Sequence, residues 1–185
     1  IADESLWKQI NFLYYERCGF PLPGGHNACH LDSIAYHNGV GVSFAGGWHD
    51  AGDVSQQTVQ SGEIVHALLD AMRRREPGDP LYRRLSEEAQ WGLDFILRTR
   101  FGDGYRVTSG ACTRWSDNKI GNFDDPVPYV SNHAMSNLLL AAVEGFAAEV
   151  LADESPALAA QARLAAVEDF AFGLERFETR GVVHA

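Results

Sequence analysis

The chain has 185 residues, 45% hydrophobic and 22% charged, the balance of a folded globular protein large enough to bury a core of its own. Its 25 acidic residues outnumber 15 basic ones for a net charge of −10, a field that excludes a general binder of nucleic acid or anionic membrane. No apolar run approaches the roughly 20 residues that span a bilayer, and 3 cysteines are too few for a disulfide scaffold.

Apolar residues at helical spacing predict five helices. The first covers residues 3–18, with Leu6, Ile10, Leu13 and Tyr14 on one side and Gly19 as its stop. The second runs from residue 55 to 75, carries Val65, Leu68, Leu69 and Met72, and is closed by Pro77-Gly78. Asp79-Pro80 supplies an N-cap and a Pro at the first helical position for a third helix reaching residue 100, with Leu85, Ala89, Leu93, Ile96 and Leu97 inward. The fourth, residues 131–152, presents Leu138, Leu139, Ala142, Phe146 and Val150. Ser155-Pro156 repeats the cap device before a fifth helix striped with Ala160, Leu164, Val167, Ala171, Leu174 and Phe177. With no long alternating strand, the fold class is all-α. Two glycine-rich stretches, 19–54 and 101–130, interrupt the pattern, and loops of that length in a compact domain usually carry function. A short hairpin is expected around Tyr105–Thr113.

The chemistry sits in those loops. Asp50 and Asp53 flank Ala51-Gly52 just before a helix, so two unobstructed carboxylates can hold one water, one taking its proton while the other orients it. Equally, Asp53 or Ser55 could cap the helix and leave Asp50 a solvated turn residue. Trp48, in a glycine turn, is a candidate sugar-stacking platform, and Trp115 is a second. Cys18, Cys29, His30 and His49 form a two-Cys, two-His set that satisfies tetrahedral Zn²⁺ with no position open for water. The alternative is a buried Cys18 with hydrogen-bonding loop histidines. If metal is held there, it clamps the long loop and fixes His49, hence Asp50. His26 and His37 are further loop histidines, His66 and His133 fall in the helices as packing residues, and Arg73-Arg74-Arg75 reads as a solvated helix end. Asp117 and Asp124-Asp125 suit either a cleft or plain turn chemistry. Cys112 has no partner in the sequence.

Three stretches taken together, Phe12-Leu13-Tyr14-Tyr15-Glu16-Arg17-Cys18-Gly19, Cys29-His30-Leu31-Asp32 and Gly46-Gly47-Trp48-His49-Asp50-Ala51-Gly52-Asp53, resemble the catalytic domain of family 9 glycoside hydrolases. Glu88-Ala89-Gln90-Trp91-Gly92-Leu93-Asp94-Phe95-Ile96 is similar to that family's third-helix segment. The resemblance implies an (α/α)₆ barrel and hydrolysis of β-1,4-glucosidic bonds in cellulose-type glucans or oligosaccharides with inversion. It implies Asp53 as general base, Asp50 as its helper, and a structural zinc on Cys18, Cys29, His30 and His49. The family's general acid is a Glu far downstream, and Glu168, Glu175 and Glu178 come too early in the chain to be it. Inversion sets acid and base on opposite sides of the bond, roughly 6.5–9.5 Å apart, and Asp50 and Asp53 share one side. Residues 1–185 are therefore expected to be the N-terminal segment of a single catalytic domain. Apolar helix faces would then await the rest of the polypeptide. No targeting segment is legible, and the resemblance leans toward an extracellular setting. The rival readings are a non-catalytic carbohydrate-binding remnant and a zinc-stabilised helical interaction domain.

Overall fold

A computed structural model describes residues 2–50, 54–110, 112 and 115–181. Among these the five expected helices form: α1 (Ala2–Tyr15), α2 (Thr58–Met72), α3 (Pro80–Arg98), α4 (Ala134–Val150) and α5 (Pro156–Arg180). α2 lies between α3 and α4, α4 packs along α5, and α1 rests on α3. No helix among the described residues is long and apolar enough to cross a membrane.

The third helix starts as its sequence dictates. Asp79 has extended backbone, its carboxylate accepts from the Leu81 N–H at 2.8 Å, and Pro80 follows where no N–H is needed. Ser155 does not repeat this. Its hydroxyl donates to Gln90 Oε1 at 2.7 Å and ties α5 to α3 instead of capping α5.

The all-α expectation holds for the layers but missed two small antiparallel sheets. β1 (Ile34–His37) and β2 (Val40–Ser43) make a hairpin whose turn residues, Asn38 and Gly39, both have positive φ, as a type I′ turn requires. β3 (Gln56–Gln57), β4 (Arg106–Gly110) and β5 (Pro128–Ser131) form the second sheet, with β4 central. The hairpin expected at 105–113 is thus corrected: β4 pairs with distant β3 and β5 rather than folding on itself. β3 and β5 also take the first residues expected of α2 and α4, which begin three residues late at Thr58 and Ala134.

The core gathers Val65, Leu69 and Met72 of α2, Leu85, Ala89, Leu93 and Ile96 of α3, and Leu140, Val143 and Ala147 of α4. On α4 the inward face is rotated from the expected one, so that Leu138, Leu139, Phe146 and Val150 flank it and Ala142 is exposed. On α5 the expected stripe faces outward. Ala159, Ala162, Ala165, Asp169 and Gly173 are the buried residues, and a Cβ on Gly173 would come within 2.7 Å of Leu138, so small residues set a close α4–α5 approach. Leu164, Val167, Phe170, Leu174 and Phe177 are left at 40–66% exposure, forming an uncovered apolar face.

One buried ionic cluster crosses these layers. Arg106 of β4 reaches both Glu144 of α4 and Asp169 of α5, and Asp169 also receives Arg100 at 2.9 Å. Burial, opposed by Arg106, pushes the Glu144 carboxyl up to about 8.

Candidate active site and metal centre

The glycine-rich motif is positioned by close packing on α3. Gly46 and Gly47 have φ of +120° and +63°, and a Cβ on Gly47 would lie 2.6 Å from the Phe95 ring. The turn carries the chain back beside residues 16–18. Cys18 N–H donates to Gly47 O at 3.1 Å and His49 N–H to Glu16 O at 2.9 Å, an antiparallel bridge centred on Arg17 and Trp48. Two residues 31 apart in sequence, Cys18 and His49, are thereby neighbours.

Trp48 is the residue whose expected role changes. It is 2% exposed, with its ring edge against Gly92 and its indole N–H donating to Glu88 Oε1 at 2.8 Å. A ring enclosed on all sides cannot stack on a sugar, so Trp48 is a structural anchor for His49 and Asp50. Glu88 in turn accepts from Arg17 Nε at 3.1 Å and Nη2 at 2.8 Å, a bidentate buried pair, with the guanidinium carbon 4.6 Å from the Trp91 ring centroid. The Trp91 N–H donates to Gly47 O at 2.9 Å. The sequence alone gives Arg17 and Glu88 no role of their own, and their places in the 12–19 and 88–96 stretches are the one signal it offers.

Cys18, Cys29, His30 and His49 are all buried, with one potential ligand atom from each inside a cluster no wider than 4.8 Å. The sulfurs stand 3.9 Å apart, Cys18 Sγ is 3.4 Å from His30 Nδ1, and Cys29 Sγ is 3.6 Å from His49 Nε2. Bond lengths of about 2.3 Å to sulfur and about 2.0 Å to nitrogen put tetrahedral edges at about 3.8 Å for S–S and about 3.5 Å for S–N. The observed distances match those edges, and 3.9 Å is far beyond a disulfide bond. Turning the adjacent side chains of Cys29 and His30 into one cluster needs a sharp local turn, which His30 supplies with φ of +54°. The hydrogen bond between the thiols holds Cys29 well below the ordinary thiol range, against burial, while the same bond and burial push Cys18 up. On its far side His49 Nδ1 is 3.9 Å from the Glu16 carboxylate.

Asp50 follows directly and is exposed. Its carboxylate accepts from Ser55 Oγ at 2.6 Å and its N–H donates to Ser55 O at 2.9 Å. It borders a cleft of about 470 Å³ with Tyr15, Glu16, His26, His49 and Trp115. Trp115 is 51% exposed and stacked on His26 at 5.2 Å and on His30 at 5.7 Å between ring centroids, beside the Cys29-His30 turn. Asp53, the other expected carboxylate, lies outside the described residues.

The remaining candidates disperse. His26 stands 3.8 Å from Cys29 Sγ but its Nδ1 is engaged by Asn27 O at 2.7 Å. His37 is bound to Asp103 at 2.9 Å and stacked on Tyr105. His66 is exposed against Phe146, and His133 precedes α4 rather than lying in it. Asp117 and Asp125 accept backbone N–H groups within their own loop, as turn residues do. Arg73 and Arg74 are solvent-exposed and paired with Asp70. Glu168 is held by Arg100 at 2.7 Å.

Five packed helices whose connecting loops carry an exposed carboxylate, a cleft and a buried Cys₂His₂ cluster define a mainly helical class of protein with a loop-borne site. Residues 3–184 match the sequence profile of glycosyl hydrolase family 9, and the chain belongs to that family. The fold is shared with a single mutant of a thermostable endoglucanase from Alicyclobacillus acidocaldarius, at 21% identity and a TM-score of 0.76, over 98% of this chain and 40% of that one. A metagenome-derived glycoside hydrolase family 9 endoglucanase gives 24% and 0.76, over 97% and 36%. A Zn-binding triple mutant of the family 9 endoglucanase J30 gives 22% and 0.70, over 94% and 37%. These relatives are (α/α)₆ barrels, and the five helices here are part of one. The chain spans about two fifths of their length. No curated protein matches it in sequence.

Proposed function

We propose that this chain supplies the base side of an inverting glycosidase site acting on β-1,4-linked glucans or their oligosaccharides. The observation that carries the reading is the intact Gly46–Asp53 motif of a family member, with Asp50 at the rim of a cleft that Trp115 also lines. Water is the nucleophile. Asp53 takes its proton, and Asp50, oriented by Ser55, holds the water on the side of the sugar away from the leaving group. The general acid comes from residues beyond this chain, across the scissile bond. Trp115 offers its exposed face to a sugar ring, which binds and orients the substrate over the carboxylates.

Cys18, Cys29, His30 and His49 hold a structural Zn²⁺, whose role when bound is to clamp the loop. The support is the tetrahedral edge lengths and the closed set of four soft donors. Residues 1–185 act as one segment of a larger catalytic domain. The uncovered face of α5, Leu164 to Phe177, is where further helices of the same polypeptide pack.

In a polypeptide extended to the complete barrel, Asp53→Asn lowers kcat by roughly 10²–10⁴-fold, the usual contribution of a general base. Near-parental kcat in that variant, with fold and metal content unchanged, overturns the assignment.

A further inference from the structure

Cys112 stands outside the four-ligand set and 82 residues from His30 in sequence, yet its half-buried sulfur is 3.2 Å from His30 Nε2. The other ring nitrogen, Nδ1, faces Cys18 at 3.4 Å. A histidine ligating through Nδ1 carries its proton on Nε2, so the Cys112 sulfur is placed to accept that N–H. The two nitrogens point to opposite sides of the imidazole, which puts Cys112 behind the ligand rather than on the ion. The chain just beyond Cys112 is fastened to the metal loop at several more points. Ser116 Oγ donates to Asp32 Oδ1 at 2.6 Å. Asn118 grips both edges of the Cys29-His30 turn, accepting from Leu31 N–H and donating to Ala28 O, each at 3.0 Å. Between these ties the Trp115 ring lies nearly parallel to His30, at 14°.

Resting on the metal reading above, we propose that Cys112 is a positioning residue of the metal centre. It holds His30 in its ligating orientation and couples the centre to the loop that carries Trp115, so that loading the metal fixes the indole in the cleft. Ligating histidines ordinarily give their far N–H to an outer acceptor, and losing that acceptor costs 10–100-fold in metal affinity. Here the acceptor is a sulfur.

The test is zinc affinity by chelator competition for the parent, Cys112→Ala and Cys112→Ser, with cobalt absorption spectra and tryptophan emission recorded on each. Cys112→Ala is expected to bind zinc about 10–100-fold more weakly, and Cys112→Ser, which keeps an acceptor, to recover most of the loss. The thiolate-to-cobalt charge-transfer intensity stays that of two thiolates throughout. Metal loading changes emission more in the parent than in Trp115→Phe or in Cys112→Ala. Equal zinc affinity in Cys112→Ala and parent overturns the proposal, as does an emission change as large in Trp115→Phe as in the parent. A charge-transfer band reduced by one thiolate in Cys112→Ala makes Cys112 a ligand and overturns the outer role. A parent that binds no zinc overturns the metal reading itself.

Discussion

Gly92→Ala is the perturbation in which local propensity and tertiary packing make opposite predictions. Gly92 sits inside α3, where alanine is ordinarily better by about 1 kcal/mol. A Cβ there would lie 2.2 Å from Trp48 Cη2, 2.5 Å from Cζ3 and 2.6 Å from Val65 Cγ2. Ordinary carbon contacts are about 3.5–4.0 Å, so the indole would have to retreat by roughly 1.3–1.8 Å. It has nowhere to go, because its N–H is bonded to Glu88 and its neighbours on the chain are Gly47 and His49. Overpacking of this kind costs about 1–3 kcal/mol, and with a tethered ring the upper end applies, leaving a net loss of about 2 kcal/mol after the propensity gain. Gly145→Ala is the control: it is also inside a helix, but exposed, and its Cβ would meet only Ala166 at 3.8 Å. It should stabilise by about 0.5–1 kcal/mol. Urea unfolding of both variants measures the two changes, and zinc affinity should fall in Gly92→Ala alone because Trp48 adjoins His49. A Gly92→Ala variant as stable as its parent would refute the view that Trp48 is a fixed anchor.

Other consequences concern the buried charges. Glu88→Gln strands the Arg17 guanidinium without its counter-charge, and removing one partner of a buried pair costs about 3–5 kcal/mol, read as a lowered unfolding midpoint. Glu144 has its folded pKa raised from 4.5 to about 8 by burial, among Arg106, Asp169 and Arg100. The stability this contributes is complete below about pH 4.5 and is lost as pH rises through about 8, so the unfolding midpoint should fall between about pH 4.5 and about pH 8 and level off above that. Glu144→Gln, which cannot ionise, should flatten that dependence, and an unchanged slope would count against the assignment.

The parts legible in the sequence were those that local chemistry decides. Asp79-Pro80 announces a helix start because cap and Pro act within one turn. Cys18, Cys29, His30 and His49 stood out because soft donors are scarce in this chain. What spacing could not give was the direction in which a side chain points. Trp48 read as a platform because a glycine turn exposes its neighbours, whereas Gly92 opens a slot in α3 that swallows the ring. The apolar stripe of α5 marks one face without saying which way it turns, and alanines and Gly173 are what allow the close approach to α4 on the other. Asn38-Gly39 is a strong hairpin signal that the helical pattern overshadowed. The Cys112–His30 pairing was invisible because only the fold brings those loops together.

The central claim is that Asp53 activates water on one face of a glucosidic bond while the acid lies beyond this chain. Proton NMR of a cello-oligosaccharide incubated with the polypeptide extended to its complete barrel tests it most directly. The account predicts that the α-anomer appears first with the parent and that Asp53→Asn releases no product. Initial release of the β-anomer, or α-anomer formed by Asp53→Asn at the parental rate, would contradict it.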